Sequence, residues 1–481
     1  MPISTAISMQ SVLLLSLCVG ACLGQNVVIN EIMYYPYSGD RVPEKVHLEF
    51  IELLNVGPGP AALKDWQFTR GVRFVFPDIV LDAGGYLVVA ADEAALRSAY
   101  PGVENIVGDW SGRLANSGET IELCDASGAT VNKVSYADQG DWAVRELGPP
   151  ESGQRGWQWS DRADGGGRSL SLINAGMPNK FGQNWAASLV DCGTPGRPNL
   201  VAADNIAPMI LEVQHSPLVP GPTDVVQVTA RVIDEAAVPA TVRVRYRVDR
   251  STYVGQNVYP EASAGDFAIV PMFDDGLHGD GAAGDGVYGG YLPPHPDGAI
   301  IEFYVEAVDE GGRLRTWPAP SFVDGQWRQV TNALYRVDAA FDPQAHQQAG
   351  SQPLYYLIMT EMERGRLAYI GTHSTLDGPN AQMNGTFISV ESANTRIRYR
   401  VGIRNRGHGS RNGPPNNYHV KFPHDTPWKG LRAMNFNCRN THAQILGSAV
   451  FHMAGIVTAR AVPAQLRING RNLAYPGSPM Y

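Results

Sequence analysis

The sequence predicts a mainly β protein built from several small domains, and three observations support that prediction. At 481 residues, the chain is too long for one hydrophobic core and favours about three domains. Its 52 Gly and 34 Pro are typical of short strands joined by turns. Runs of strong helix formers are few, and an apolar content of 44% is ordinary for a folded chain.

The N-terminal segment predicts export. Val12–Val19 is an apolar run too short to span a bilayer, so we assign residues 1–24 to a signal peptide. We expect a secreted, cell-surface or periplasmic protein. Cleavage near Gly24–Gln25 is favoured over a lipobox ending at Cys22, which would attach a lipid anchor to that cysteine. No later segment has the roughly 18 apolar residues of a membrane span.

The net charge and the cysteine content limit the kinds of ligand that the sequence predicts. A net charge of −9 argues against nucleic-acid binding, which needs a basic surface. Cys124 and Cys192 fall in one predicted domain and could pair after export, which would leave Cys438 unpaired. No Cys/His spacing typical of a zinc site occurs.

The first predicted domain, residues 25–200, is a series of short strands about ten residues apart. Glu31, Glu49 and Glu52 lie in its first two strands, where outward-facing polar positions are favoured over paired catalytic carboxylates. The strands are predicted at 26–35, 47–54, 66–69, 72–76, 86–90, 120–124 and 130–136.

Six segments of this domain occur in a recognisable order: INEIMYYP, EFIELLNVG, LKDWQF, FVFPDIVLDAGGYLVVA, LANSGETIEL and VNKVSY. In this order they resemble the lamin-tail domain of secreted bacterial proteins. The resemblance implies an immunoglobulin-like sandwich that binds or anchors, without catalytic machinery.

Composition marks residues 193–207 as a linker, after which a second β-sandwich is predicted at 208–338. Alternating strands are expected at 224–234, 240–248 and 300–308. Their pattern resembles the immunoglobulin-like or fibronectin-like spacers of modular secreted proteins.

An Asp/Gly loop at residues 273–291 is the distinctive feature of the second domain. Glycines between its acidic residues allow tight turns, and clustered carboxylates predict a calcium site. The alternative, favoured by the composition, is a rigid turn whose carboxylates accept hydrogen bonds from their own backbone. The four carboxylates belong to Asp274, Asp275, Asp280 and Asp285.

The most basic stretch of this acidic chain is residues 396–429, where eight Lys or Arg residues accompany one acid, Asp425. Such a concentration of cations predicts an anion site, for phosphate above all. Strand alternation predicts an apolar face opposite an arginine face. The apolar set is Ile397, Tyr399, Val401 and Ile403, and the basic set is Arg396, Arg398, Arg400 and Arg404.

Residues 354–481 resemble the N-terminal part of the CotH family of spore-coat-type secretory kinases. The matching segments are RIRYRVGIRNRGHGSRNGPPNNYHVKF, the helix from His442 and the strand-turn AQLRING. The resemblance implies an incomplete α+β kinase-like segment in which Arg406 and Lys421 contact nucleotide phosphate. The family's paired lysines are replaced here by Asn416 and Asn417.

Phosphoryl transfer also needs carboxylates that hold magnesium and an acid–base partner for the acceptor hydroxyl. Between Arg396 and Tyr481, Asp425 is the only acid. ATP and magnesium are therefore expected only if a missing catalytic half is present, and the sequence favours a protein that is not an enzyme.

Several interpretations follow. The favoured one is an exported modular protein whose lamin-tail domain binds or anchors an extracellular protein or cell-wall ligand, and which carries a non-catalytic kinase remnant. The alternative is a fragment of a secretory kinase that needs its C-terminal half. A weaker third has the arginine face receive an anionic polysaccharide or a nucleic acid, and the simplest has that face merely solvated.

Overall fold

A computed structural model of the protein describes residues 27–36, 44–236, 241–253, 266–342, 344, 351–373, 378–391, 394–407, 411 and 413–473. The predicted signal peptide and Cys22 lie outside these residues. Strands dominate the described parts, which confirms the mainly β prediction. Within them no helix is both long and apolar enough to cross a membrane.

The first unit is a sandwich of two main sheets, one six-stranded in the order β14-β13-β1-β2-β7-β8 and one four-stranded in the order β10-β9-β4-β5. Its core includes Phe68, Trp110 and Ile121. One helix, α1 (Glu93–Ala99), begins after Asp92, whose carboxylate accepts a hydrogen bond from the Ala95 amide at 2.8 Å. The strands are β1 (Val27–Met33), β2 (Phe50–Asn55), β3 (Ala61–Ala62), β4 (Gln67–Arg70), β5 (Phe74–Val75), β6 (Val80–Leu81), β7 (Tyr86–Ala90), β8 (Ile106–Gly108), β9 (Thr120–Cys124), β10 (Thr130–Ser135), β11 (Arg145–Glu151), β12 (Gln154–Trp159), β13 (Leu170–Leu172) and β14 (Trp185–Ala187).

The second unit is also a sandwich. A three-stranded sheet, β15-β16-β19, packs against a sheet in which β18-β17-β20-β21 are adjacent and β24 also pairs with β20. Buried Val228, Val244 and Phe303 belong to its core. The strands are β15 (Met209–Ser216), β16 (Val226–Ile233), β17 (Thr241–Val248), β18 (Ala268–Pro271), β19 (Val287–Leu292), β20 (Ile300–Val308), β21 (Leu314–Trp317), β22 (Ser321–Val323), β23 (Gln326–Arg328) and β24 (Ala333–Arg336).

The third unit is built on a seven-stranded sheet in the order β29-β28-β27-β26-β25-β30-β31. Two helices accompany it, α2 (Glu361–His373) and α3 (Thr441–Met453). Phe387, Val420 and Phe422 lie in the core on one face of this sheet. The strands are β25 (Leu354–Ile358), β26 (Met383–Glu391), β27 (Asn394–Arg406), β28 (Asn417–Lys421), β29 (Ala433–Phe436), β30 (Gln465–Ile468) and β31 (Arg471–Leu473).

A four-stranded sheet in the order β12-β11-β22-β23 joins the first and second units, because β11 and β22 form a parallel pair. We call it the shared sheet. One of its faces carries Leu147, Trp157 and Val323, which pack together. On this side Trp157 donates through its indole N–H to Glu363 of α2 at 2.6 Å, and its backbone amide donates to the Gln382 carbonyl at 2.7 Å. The shared sheet therefore contacts all three units.

The stretch predicted as a loose linker, residues 193–207, instead begins as an ordered part of the first unit. The Thr194 amide donates to the Glu31 carboxylate at 2.9 Å, and the Gly196 amide donates to Glu52 at 2.5 Å. Glu31 and Glu52 face each other across β1 and β2 and are fully buried. The expectation that these glutamates lie on outward faces was therefore wrong, because this segment covers them.

Cys124 and Cys192 are both free thiols. Cys124 is buried in β9, where its sulfur lies 3.4 Å from the Thr69 hydroxyl, and Cys192 is exposed. The two do not form the bridge that their shared domain had allowed.

Candidate functional site

Cross-strand register gathers four basic side chains on one face of β27 and β28. Arg404 lies directly opposite His419, Lys421 lies opposite Gly402, and Arg406 lies opposite Asn417. Directly opposed residues in an antiparallel pair point to the same side of a sheet. We call this group, Arg404, Arg406, His419 and Lys421, the cation face. All four side chains are half-buried.

The predicted arginine face is wrong in its composition, because β27 contains a bulge. Gly385 pairs with Val401 but Phe387 pairs with Arg398, so β27 has one extra residue there. Arg400 adopts a φ of 58° at this point, a conformation typical of such irregularities. Alternation reverses across the bulge, so that Arg398 lies on the same face as Val401 and opposite to Arg404.

Two of the displaced arginines, Arg398 and Arg400, have structural partners. The guanidinium of Arg398 donates to the Pro427 carbonyl at 2.9 Å. Arg400 forms an ion pair with Asp141 at 2.8 Å and also donates to the Gly140 carbonyl at 3.1 Å. These two arginines stabilise contacts within the third unit and between the third and first units, and they do not contribute to an anion site.

The cation face lacks close counter-ions. Within the described ranges, no carboxylate oxygen lies within 4.0 Å of the charged groups of Arg404, Arg406, His419 or Lys421. Their hydrogen-bond partners are neutral. Arg404 donates to the Asn380 amide oxygen at 3.0 Å, and Arg406 donates to that of Asn437 at 2.5 Å.

The pKa values show that these cations are crowded. Burial lowers the pKa of His419, and the nearby charges of Arg404, Arg406 and Lys421 lower it further. Burial also lowers the pKa of Arg404, the charges of Arg411 and Arg406 lower it further, and the charge of Glu151 opposes this lowering. A partly dehydrated group of like charges gains stability when an anion binds.

The two ends of the cation face differ. Lys421 lies near Asp138 and Asp164 of the first unit, whose charges oppose the lowering of its pKa by burial. Arg406 lies at the other end, next to the first turn of α3. There Asn437 donates to Gln444 at 2.8 Å, and that turn contains no acidic residue. A helix N-terminus without acids adds a favourable potential for anions.

Arg406 and Lys421, both predicted to contact nucleotide phosphate, share this face but are not adjacent. Lys421 lies opposite Gly402, which is four residues before Arg406 on β27. Four residues of a strand span about 13 Å, so this is the separation of Arg406 and Lys421 along the strands. Arg404 and His419 lie between them. The arrangement is longer than a single phosphate group and suits several anionic groups in a row.

The carboxylates of the Asp/Gly loop are each bonded to backbone amides. Asp280, which is buried, accepts from Gly276 and His278 at 2.8 and 2.9 Å, and Asp274 accepts from Gly284 at 2.7 Å. Asp285 accepts from the Val287 amide at 2.9 Å. These are the contacts of the rigid-turn alternative.

The remaining member of the loop, Asp275, accepts from the Leu277 amide and lies 2.9 Å from the His278 ring nitrogen. Among the residues that the structure describes, no group of three or more His, Cys, Asp or Glu side chains could hold a metal ion. Calcium at this loop stays a prediction.

The fold of the first two units defines a class: immunoglobulin-like β domains, which suggest a binding or structural role. Residues 23–138 match the Lamin Tail Domain family, which confirms that resemblance for the first unit. Residues 218–313 match the family described as Conditioned medium factor 2nd Ig-like domain, which confirms the immunoglobulin-like fold of the second unit. No curated protein matches the chain. Neither family match extends beyond residue 313, so the CotH resemblance stays a prediction.

Proposed function

We propose that this protein is an exported, non-catalytic binding protein that holds an extended anionic ligand, such as an acidic cell-surface polysaccharide, on its cation face. The observation that carries the proposal is a row of three half-buried cations, Arg404, Arg406 and Lys421, with the His419 imidazole among them and no carboxylate oxygen within 4.0 Å in the described structure. In a chain of net charge −9, such a row is an exception that selects anions locally while the rest of the surface repels them.

The length of the row favours a polymer over a single phosphate. Anionic groups spaced along a chain can reach Arg406 and Lys421 at the same time, with Arg404 and His419 between them. The first unit packs beside the site on the same face of the sheet, since Asn384 of β26 lies opposite Gly402 and accepts a hydrogen bond from Arg145 of β11 at 2.7 Å. A site on packed strands is held in position more firmly than one on loops.

Binding of sodium polygalacturonate, measured by isothermal titration calorimetry, tests the proposal. We expect affinity to fall as salt increases. An Arg404→Gln, Arg406→Gln double variant should weaken binding about tenfold or more, because each charged contact contributes on the order of 1 kcal/mol.

The matched control is Arg396→Gln, an exposed arginine on the same strand before the bulge. It should bind like the wild type. The proposal is overturned if the double variant binds as tightly as the wild type, or if Arg396→Gln loses as much affinity.

Export rests on the sequence of residues 1–24. N-terminal sequencing of the mature chain tests it, with a start near Gln25 expected. A mature chain that still begins at Met1 would contradict export, and a lipidated Cys22 would replace free secretion with a membrane anchor.

The second candidate function is that of a CotH-type kinase fragment. The hairpin of β27 and β28 carries Arg406 and Lys421 on one face, and α3 and the β30–β31 turn follow in the order that the resemblance implies. ATP with magnesium would then raise the melting temperature, and Lys421→Ala would remove that increase. Under the favoured proposal, polygalacturonate stabilises the protein and ATP with magnesium does not.

A further inference from the structure

The second face of the shared sheet contacts the third unit at the end of the β11–β12 hairpin, and beyond that end it carries a row of side chains that faces a cleft. Register places Gln158 opposite Glu146, Glu146 opposite Phe322, and Phe322 opposite Trp327. Directly paired residues lie on the same face, so this row crosses all four strands. Trp327 is 58% exposed at the open end of the row.

This face forms one wall of a cleft of about 360 Å³ between the first and second units. The first unit contributes Trp142 and Trp185, whose ring centroids are 5.8 Å apart. The second contributes Arg315 and Trp317 from β21. Aromatic rings and small apolar side chains make up most of the cleft lining, together with several polar and charged groups, which is a common composition of a ligand site.

Two polar groups of the cleft have incomplete hydrogen bonding. The Ser160 hydroxyl is buried without a partner among the described residues. The Arg315 guanidinium donates only to the Ala207 carbonyl, at 3.2 and 3.3 Å, and no described carboxylate oxygen lies within 4.0 Å of it. Burial lowers the pKa of Arg315, which shows that its charge is poorly solvated. A buried hydroxyl without a partner, like that of Ser160, is costly, and the partly buried Arg315 has hydrogen-bonding capacity left, so a ligand that bonds to both gains affinity.

We propose that this cleft binds a neutral glycan chain, at a site separate from the cation face. The C–H faces of sugar rings stack on the Trp327 and Phe322 rings. Sugar hydroxyls accept hydrogen bonds from Arg315 and donate to the Glu146 carboxylate. Neighbouring strands are about 4.8 Å apart, so Glu146 and Trp327 are about 10 Å apart, the length of a disaccharide.

The charges of the cleft favour a neutral glycan over an acidic one. Arg162 and Arg315 line it together with Asp138, Asp141 and Glu146, so the two signs nearly cancel. The cleft is also preformed, because the paired strands β11 and β22 hold its two sides together. A preformed site of this kind loses little conformational entropy on binding.

Hexasaccharides of β-1,4-linked glucose, N-acetylglucosamine and xylose are the probes, added to the full chain at up to millimolar concentration. Tryptophan fluorescence and isothermal titration calorimetry report binding. At least one hexamer should bind, and Trp327→Ala should weaken it about tenfold, as expected for the loss of one stacking ring. Glu146→Gln should weaken it less.

The control is Tyr291→Ala, an aromatic residue of the second unit that is 43% exposed and outside the cleft. It should bind like the wild type. The proposal is overturned if none of the hexamers binds, or if binding is insensitive to both Trp327→Ala and Glu146→Gln. A polyproline peptide is tested in the same way. The proposal is also overturned if this peptide is the only probe whose binding is lost in Trp327→Ala. These hexasaccharides carry no charge, so a failure to bind them does not bear on the binding of polygalacturonate at the cation face.

Discussion

Glu363 is a buried acid at the junction of the three units, and replacing it with Gln should stabilise the protein at neutral pH. Its side chain is 3% exposed. One oxygen accepts the indole N–H of Trp157 at 2.6 Å, and the other has no partner among the described residues. Glutamine keeps an acceptor for Trp157 and removes the buried charge.

The size of the effect follows from the pKa of Glu363. Burial raises it from 4.5 to about 7, against the lowering effects of the Trp157 hydrogen bond and of Arg366 and Arg145. Glu302 adds a smaller raising effect. As pH rises from 4.5 towards 7, the unfolded chain loses this proton first, so stability falls over that interval. The total loss is about 3 kcal/mol and stays constant at higher pH.

Urea denaturation of wild type and Glu363→Gln at pH 4.5 and pH 8 measures this difference. We expect Glu363→Gln to exceed the wild type by about 3 kcal/mol at pH 8 and to match it near pH 4.5. Glu391→Gln is the control, because Glu391 is partly exposed and pairs with Lys429. Equal stability of wild type and Glu363→Gln at both pH values would refute the argument.

Two further predictions concern the docking of the third unit and the Asp/Gly loop. Arg400→Gln should destabilise the protein by about 3 kcal/mol in urea denaturation, because it leaves the Asp141 carboxylate without its cation. The exposed-site variant Arg396→Gln should change stability by less than about 0.5 kcal/mol, and equal effects of the two would contradict the role of Arg400. At the Asp/Gly loop, an Asp280→Ala, Asp285→Ala double variant should lose about 1 kcal/mol or more per lost cap, with or without calcium. A rise in the wild-type melting temperature with calcium that the double variant lacks would instead establish a calcium site.

Local patterns were sufficient to predict many of the strands. Alternating apolar residues placed β7, β9 and β20 at their observed bounds, and β16 and β17 within two residues of them. Alternation is a property of neighbouring residues, so it can be read from the chain alone. The predicted helix from His442 begins one residue earlier, at Thr441, and its apolar residues Met453 and Val457 are 88% and 99% exposed.

The candidate site depended on pairing across strands. Sequence alternation alone put Arg398 and Arg400 on the same face as Arg404, and it had no signal for the bulge that reverses this order. A bulge is an irregularity in the pairing with a partner strand, here β26, so the residue pattern of β27 alone does not show it. Helix α2 was missed for a similar reason. Its buried face includes Glu363 and Arg366, whose partners lie on other units, so it lacks an apolar stripe.

The sequence by itself determined that this protein is mainly β, that its first part follows the lamin-tail order, and that its cations concentrate between residues 396 and 429. Only the tertiary structure decided which of those cations share a face and which stabilise docking. It also revealed the hairpin of β11 and β12, which joins β22 of the next unit and forms one wall of the cleft. The physical reason is that register between distant strands arises from long-range packing and hydrogen bonding, which a local pattern does not specify.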